Sequence, residues 1–437
     1  MDAKERDDYT LNSAKILLIP QYENKLDTMS RAHLIEFIIK HWKRNNPLNL
    51  STVNIRLLEH YYRVAYANIF FSNRSYNIVG WKTARGEILI RYGQPLGKYR
   101  YLSQITEELI GKPPTEVWDY GDKVLAFIDP ARINNYIFAQ PWSAIVPINT
   151  HDEVISLRET NPYEYYPAFE GPVFDLSYRA YQFASKNRMQ TDIYLTYKID
   201  FSDTSTPKDK FTEGYDVDVF MFDENLNKQQ EIKEIIEGNV VYKDFFVNSH
   251  QFRSNPQMGN LAFEMVRKKD KGVTAYHGKY TVKDYSGEEL KMSDIVLASQ
   301  VELEEEIKGG IKRDNIFVLP NPARAFSSDE KIFLYFEIYN LERNTNNTTD
   351  FEQRISIHKK EEGGVLSSLL SVVGLDKKGE KVSLTSKYQT REKDPQMYLQ
   401  LDMSKYEPGE YVLTVTIKDK VTGKEVSGGT EIKWEQE

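Results

Sequence analysis

"NIVGWKTARGEILIRYGQP", residues 77–95, is the densest local pattern in the chain. Gly80, Gly86, Gly93 and Pro95 surround one short apolar run, Ile88-Leu89-Ile90, and Trp81 follows the first glycine. Such a stretch reads as a catalytic loop, a ligand cradle or a folding device. The residue types favour a folding device. Glycine permits the positive φ that tight turns require. Trp81 is large enough to anchor a turn in a core, and Thr83 can hydrogen-bond local backbone. On this reading EILIRY (87–92) is a strand, which Gly93 and Pro95 end. The functional alternative makes Trp81, Arg85, Trp118 and Tyr120 the lining of a groove for a peptide or a sugar.

Upstream, DTMSRAHLIEFIIKHWKR (27–44) reads as a helix. Asp27 or Thr28 is placed to cap it, and Leu34, Ile35, Ile38, Ile39 and Trp42 recur at helical spacing. Asn45, Asn46 and Pro47 stop it. A second helix starts at Ser51 and runs to about Phe71, with Leu57, Leu58, Tyr61, Tyr62, Ala65 and Ile69 on one broad apolar face. The short turn between them predicts an antiparallel pair. Downstream, TEVWDY (115–120) and KVLAFID (123–129) read as strands joined by a tight turn at Tyr120-Gly121-Asp122. Residues 150–185, rich in Pro and Tyr, read as an irregular connection. Then strands come closely spaced: TDIYLTYKIDF, YDVDVFMFD with a turn at Asp223-Glu224-Asn225, LAFEMVRKK, GKYTVKDY and SDIVLASQVEL. KGGIKRDN (308–315) reads as a polar linker before a second strand series, from KIFLYFEIYNL to GTEIKW. A weak internal repeat relates 278–289 to 409–425, each read as a strand, a turn and a return strand. The expected fold is an α+β domain over 1–150, a helical pair plus a small antiparallel sheet. Two all-β immunoglobulin-like sandwiches come after it, over 151–307 and 308–437.

The chain has 437 residues, a hydrophobic share of 40%, 29 Tyr and 21 Phe. That is enough apolar content for packed cores, and the aromatics suit half-buried strands. The net charge of −8 argues against nucleic acid as a partner, which calls for a basic face. With no cysteine, disulfides, thiol nucleophiles and thiolate metal sites are excluded. No apolar run is long enough to span a membrane; the longest near the start, ILLIP (16–20), is far too short. MDAKERDDYT is not a signal peptide. The expectation is either a mature exported form or a cytoplasmic protein. The histidines at 33, 41, 60, 151, 250, 277 and 358 show no HExxH spacing. G-x-S-x-G elbows, S-x-x-K sets and Gly-rich phosphate loops are missing. The expectation is therefore no catalytic residue, no metal and no cofactor. Carboxylate pairs leave no mark in sequence spacing, so a hydrolase built on two of the 65 acidic residues stays open. The density of Glu302, Glu304, Glu305 and Glu306 reads as a solvated strand end.

GWKTARG followed by EILIRYGQP resembles the GWxTD-motif domain of exported proteins from Bacteroidota, Acidobacteriota and relatives. The positions that fit are Gly80, Trp81, Thr83, Arg85, Gly86, Tyr92, Gly93, Pro95, Glu116, Trp118 and Tyr120. FIIKHWKRNNP and EHYYRVAYANIFF resemble segments that precede the motif in that family. SDIVLASQVEL and LPNPARAFSSDEKIFLYFEIYNL resemble its downstream β regions. The motif Asp is Ala84 here, so Arg85 needs another partner. The resemblance implies no particular activity. It implies a cell-envelope address, periplasmic or outer-membrane-associated. The function expected on this basis is a non-enzymatic scaffold or adaptor among other envelope proteins. A glycan- or peptide-binding protein is the alternative, and a hydrolase the third.

Overall fold

The computed structural model of the protein describes residues 6–18, 25–26, 28–50, 53–101, 113–139, 154, 156–157, 169–200, 214–236, 245–360 and 382–435. Asp27, Ser51, His151 and the Pro/Tyr-rich residues 161–168, all used in the sequence reading, lie outside them. The chain divides into two units, Met1–Ala168 and Phe169–Glu437.

In the first unit, α1 (Arg31–Arg44) begins at Ser30, whose Oγ accepts from the His33 N–H at 3.3 Å. It buries Leu34, Ile38 and Trp42, one face of three turns. α2 (Ile55–Phe71) is capped by Asn54, whose Oδ1 accepts from Leu57 N–H at 2.9 Å while its Nδ2 donates to Trp42 O at 2.7 Å. That one side chain starts α2 and ties it to the end of α1. The caps are thus Ser30 and Asn54. The expected candidate Thr28 lies two residues ahead of the first cap.

EILIRY is not a strand. It is the body of α3 (Ala84–Tyr92), with Ile88, Leu89 and Ile90 all fully buried. A continuous apolar run does not by itself separate a buried strand from a buried helix. The caps decide here. Thr83 Oγ1 accepts from Gly86 N–H at 3.1 Å and donates to Gly80 O at 2.7 Å. Gly93, at φ 75°, closes the other end with its N–H on Leu89 O at 2.8 Å. Gly80 and Gly86 also act differently from expectation. Neither has positive φ. A Cβ on Gly80 would lie 2.0 Å from Ala67 O, and one on Gly86 2.2 Å from Gly80 O. They are glycines because α2, the Gly80–Lys82 turn and α3 touch backbone to backbone.

The strands β1 (Gly97–Tyr101), β2 (Thr115–Asp119), β3 (Val124–Ile128) and β4 (Ile137–Phe138) form an antiparallel sheet in that order. The expected β2–β3 hairpin is present, turning at Gly121 with φ 88°. Val64 and Phe71 of α2, Trp81, and Trp118 and Phe127 of the sheet share one core. Among the described residues the first unit is therefore three helices and an N-terminal helical segment, Asp8–Lys15, packed with a small sheet.

Among the described residues the second unit is all β. Its first seven strands are β5 (Ser177–Ala184), β6 (Thr191–Asp200), β7 (Tyr215–Asp223), β8 (Lys228–Ile236), β9 (Phe245–Ser254), β10 (Met258–Arg267) and β11 (Val273–Thr281). They make two antiparallel sheets, β11-β10-β7-β8 and β5-β6-β9. Alternate residues Val217, Val219 and Met221 of β7 meet Ile193, Leu195 and Tyr197 of β6 in one core. The turn at Asp223 is as expected, with its Oδ1 accepting from the N–H of Asn225 and of Asn227 at 2.8 Å each. β5 occupies the end of the stretch expected to be an irregular connection.

The remaining strands are β12 (Lys291–Met292), β13 (Val296–Leu303), β14 (Ile311–Arg313), β15 (Ile316–Pro320), β16 (Ala325–Ser327), β17 (Ile332–Tyr339), β18 (Thr349–Lys359), β19 (Val382–Thr390), β20 (Gln396–Leu401), β21 (Gly409–Asp419) and β22 (Glu425–Glu435). β12-β17-β13-β15-β14, with β20 on β17, face β16-β22-β21-β18-β19. Leu297, Leu334 and Phe336 fill that core against Ile355, Leu413 and Val415. KGGIKRDN is not a linker: Ile311–Arg313 pairs with β15. The expected division at 307/308 passes through one sheet, since β13 pairs with β15 and β17. The repeat holds as a hairpin only for 409–425. After β11 the chain crosses instead to β12, which pairs with β17.

A charged latch joins the two sandwiches. Arg313 on the edge strand β14 donates from Nε and Nη2 to the two oxygens of Glu337 at 2.7 and 3.0 Å. Its Nη1 donates to Asp192 Oδ2 at 2.9 Å and its Nη2 to Ala184 O at 2.8 Å. Glu337 also accepts from the hydroxyls of Tyr335 and Tyr339 at 2.7 Å each. Around it Phe183 and Tyr194 of the first sandwich pack on Val296 and Tyr335 of the second. Arg313→Ala would strand two buried carboxylates, so it is expected to lower the unfolding free energy of the second unit by about 3–5 kcal/mol in urea denaturation. Arg313→Lys recovers little of this, because an ammonium cannot make the bidentate contact.

Candidate functional site

The motif residues converge, but inward. Trp81, Arg85 and Trp118 are 4%, 1% and 0% exposed, so they line no groove. Arg85 leaves the second position of α3 and enters the core between the rings of Phe71 and Tyr136, 4.4 and 3.9 Å from their centroids. Its Nη1 donates to Glu116 Oε2 at 2.9 Å, and its Nη2 to Asn134 Oδ1 at 2.7 Å. Glu116 Oε1 accepts from Trp118 Nε1–H at 2.6 Å, and its Oε2 also accepts from Arg100 at 3.3 Å. Asn134, in left-handed backbone, is held by its own N–H on Asp129 Oδ2 at 2.7 Å. With alanine at 84, Glu116 and Asn134 are the partners that Arg85 needs. Burial pulls the Arg85 guanidinium below its ordinary pKa, and Glu116 opposes this.

The other motif residues brace the same core. Tyr92 donates to Leu157 O at 2.7 Å, and Tyr120 donates to Gly93 O at 2.9 Å. Burial pushes the Tyr120 phenol up, so it stays protonated. Gly93 leaves room for Arg63, whose Nη2 would be 2.9 Å from a Cβ there. Pro95 is half-buried just beyond. Phe71, Asp129, Asn134 and Tyr136 complete the cluster and were missed in the sequence. They come from other elements, and no local spacing announces them. Glu116→Gln keeps the shape but leaves the buried guanidinium without its counter-charge. It is expected to cost about 3–5 kcal/mol of stability by thermal or urea unfolding, while Arg85→Met combined with Glu116→Leu costs much less.

A carboxylate pair does exist in the second unit. Asp218 on β7 lies opposite Glu264 on β10, and both are fully buried. His277 Nε2 is 2.6 Å from Glu264 Oε1, and Lys233 Nζ is 3.6 Å from Asp218. Burial pushes the Asp218 carboxyl up to about 7, helped by the charges of Glu231 and Glu264 and opposed by Lys233. A sealed pair of this kind stores a proton and offers no carboxylate to a glycosidic oxygen. Between about pH 4 and 7 the native protein holds a proton that the unfolded chain has released, so stability falls as pH rises through that window. Asp218→Asn removes the penalty. It is expected to stabilise the second unit at pH 8 by about 3–4 kcal/mol and to change little at pH 4, read by urea denaturation at both values. Among the described residues no group of three His, Asp or Glu side chains is placed to hold a metal ion.

The first unit does have an open concavity. A groove of about 290 Å³ runs between α1, α2 and the N-terminal helical turn around Thr10. Ile35, Ile38, Ile39 and Trp42 form one wall, Leu57 and Tyr61 the other. Arg6, Asp7 and Arg31 stand at its polar end, where Arg31 forks onto Asp7 at 2.7 and 2.8 Å. Behind Trp42 lies His60, ring centroids 5.0 Å apart, with its Nε2 2.9 Å from Ser13 Oγ. Burial, then Arg56 and Arg63, hold His60 down to about 3. His60 is therefore neutral behind Trp42 at neutral pH. Such a surface takes apolar side chains. No helix among the described residues is long and apolar enough to cross a membrane. Neither a family model nor a curated protein matches the chain.

Proposed function

We propose that this protein is a non-enzymatic scaffold or adaptor subunit of a bacterial cell-envelope complex, and that a partner docks in the groove between α1 and α2. The groove is the observation that carries the reading. It is preformed, its walls are aliphatic and aromatic, and its Trp42 is held from behind by the uncharged His60. The motif residues support it by exclusion: they are committed to the core and leave nothing for chemistry. The envelope address rests on the resemblance of the 80–95 stretch to GWxTD-motif domains. We read the two sandwiches as immunoglobulin-like modules that present the docking unit and offer edge strands of their own. The peptide-binding alternative uses the same groove, and its apolar walls favour a peptide over a glycan.

Ile39 is half exposed on the groove wall, so Ile39→Asp changes the surface without opening the core. Tagged native protein pulled from the envelope membranes of its host is expected to bring down periplasmic or outer-membrane proteins in stoichiometric amount. The Ile39→Asp form is expected to lose them. Recovery of both forms alone would remove the adaptor reading and turn attention to hydrolase substrates.

A further inference from the structure

The joint between the two sandwiches holds a second arginine cluster, built differently from the Arg313 latch. Arg179 and Tyr181 occupy alternate positions of β5, so they share one face of that strand. Tyr181 packs in one core with Val296 and Ala298 of β13. Between those two, the Leu297 carbonyl accepts from Asn321 N–H at 2.8 Å, and the Asn321 carbonyl accepts from Arg324 N–H at 3.0 Å. That turn, with Arg324 in left-handed backbone at φ 54°, carries a guanidinium of the second sandwich to the β5 face of the first.

Here the arginines lack the carboxylates that Arg313 has. Among the described residues no ion pair joins Arg179 or Arg324 to an acidic side chain. Arg324 Nη1 donates to Thr430 Oγ1 at 3.1 Å, but its Nε is buried with no partner. Tyr181 is 5% exposed, and its hydroxyl is also buried with no partner. Buried donors left unmade are costly. The two carboxylates whose charge reaches Arg324 are committed elsewhere. Asp294 accepts from Lys283 Nζ and from the Gln182 N–H, and Glu431 accepts from Lys360 Nζ at 3.1 Å. Burial, then repulsion from Arg179, pulls the Arg324 guanidinium below its ordinary pKa; that repulsion exceeds the attraction of Glu431 or of Asp294 taken singly. Burial pushes the Tyr181 phenol up to about 12 against both arginines, so it stays protonated and able to donate.

We propose that Arg179, Arg324 and the Tyr181 hydroxyl form a binding site for a phosphate group, free or as a monoester, at the joint of the two sandwiches. Charge selects this ligand. Two uncompensated guanidinium groups match a dianion, whereas a carboxylate would leave one of them over. The hydrogen-bonding roles match as well: guanidinium N–H groups and a phenol donate, and the oxygens of a phosphate dianion accept. Exposure grades inward, from the exposed Arg179 through the half-buried Arg324 to the buried Tyr181. A phosphate entering past Arg179 would bridge β5 of the first sandwich to the Asn321–Arg324 turn of the second.

Inorganic phosphate and glycerol phosphate are titrated into the full chain by isothermal calorimetry, at about pH 8 and constant ionic strength, with acetate as the singly charged control. Expected is saturable phosphate binding at a single site, weakened at least about tenfold by Arg179→Gln and by Arg324→Gln, and no saturation with acetate. Arg179 is exposed and its side chain makes no bond among the described residues, so Arg179→Gln keeps the fold even if Arg324→Gln does not. Binding of glycerol phosphate as well assigns the site to the phosphoryl group of a larger molecule; binding of the inorganic ion alone assigns it to free phosphate. No saturable phosphate binding, phosphate binding indifferent to Arg179→Gln, or acetate bound as tightly as phosphate would each overturn the proposal. The Ile39→Asp pull-down reads the groove of the first unit separately, so the adaptor reading can fail while the phosphate site stands, and the reverse.

Discussion

The first unit depends on one guanidinium. Arg85 is 1% exposed and carries a full charge into a core of Phe71, Trp118, Phe127 and Tyr136. Such a charge is tolerable only when its neighbours are fixed before it arrives. Glu116 supplies the counter-charge from β2, Asn134 the remaining acceptor from a loop in left-handed backbone, and two aromatic rings the faces above and below. Those partners come from a helix, a strand and a loop that are far apart in the chain. Satisfying Arg85 therefore fixes how α2, α3, β2 and the 129–136 loop stand relative to one another. The glycines at 80 and 86 serve the same end, since they let α3 approach α2 closely enough for Arg85 to reach Glu116.

The second unit repeats the device with Arg313. There the guanidinium comes from a strand of only three residues at a sheet edge, and its partners Asp192 and Glu337 belong to different sandwiches. A hydrophobic contact between the sandwiches would hold them together but would not choose one angle, because the hydrophobic effect is non-directional. The forked arginine is directional. Two tandem sandwiches that a plain apolar contact would leave free to flex are thereby held at one angle by a directional contact.

Legibility in the sequence was a matter of range. Local signals were readable: the two long helices, the β2–β3 hairpin at Gly121, the Asp223 turn and the alternation of β7. EILIRY is also decided locally. Thr83 before the run and Gly93 with Pro95 after it are helix start and stop signals, whereas the unbroken apolar run Ile88-Leu89-Ile90 fits either period. KGGIKRDN misled for a different reason. Its composition is that of a linker, and Arg313 in it is buried only because Glu337 and Asp192, distant in sequence, come to meet it. The same holds for the Asp218–Glu264 pair, which exists only through the register of β7 on β10. Clusters assembled by tertiary register leave no spacing to read.

In α2 local pattern and tertiary placement have to be read together. Its sequence alone gives a broad apolar face and, by habit, turns that face inward. The structure instead gives the inside of the helix to Arg56, His60 and Arg63. His60 shows the consequence: it is kept neutral well below its usual titration range by burial and by the two arginines beside it. A helix that places its titratable groups in the interior and Leu58, Tyr62, Ala65 and Ile69 in water is held in place only because its other contacts are strong enough: Val64, Ala67 and Phe71 in the core, and the Asn54 cap at its start. The apolar outer face is then surplus to folding.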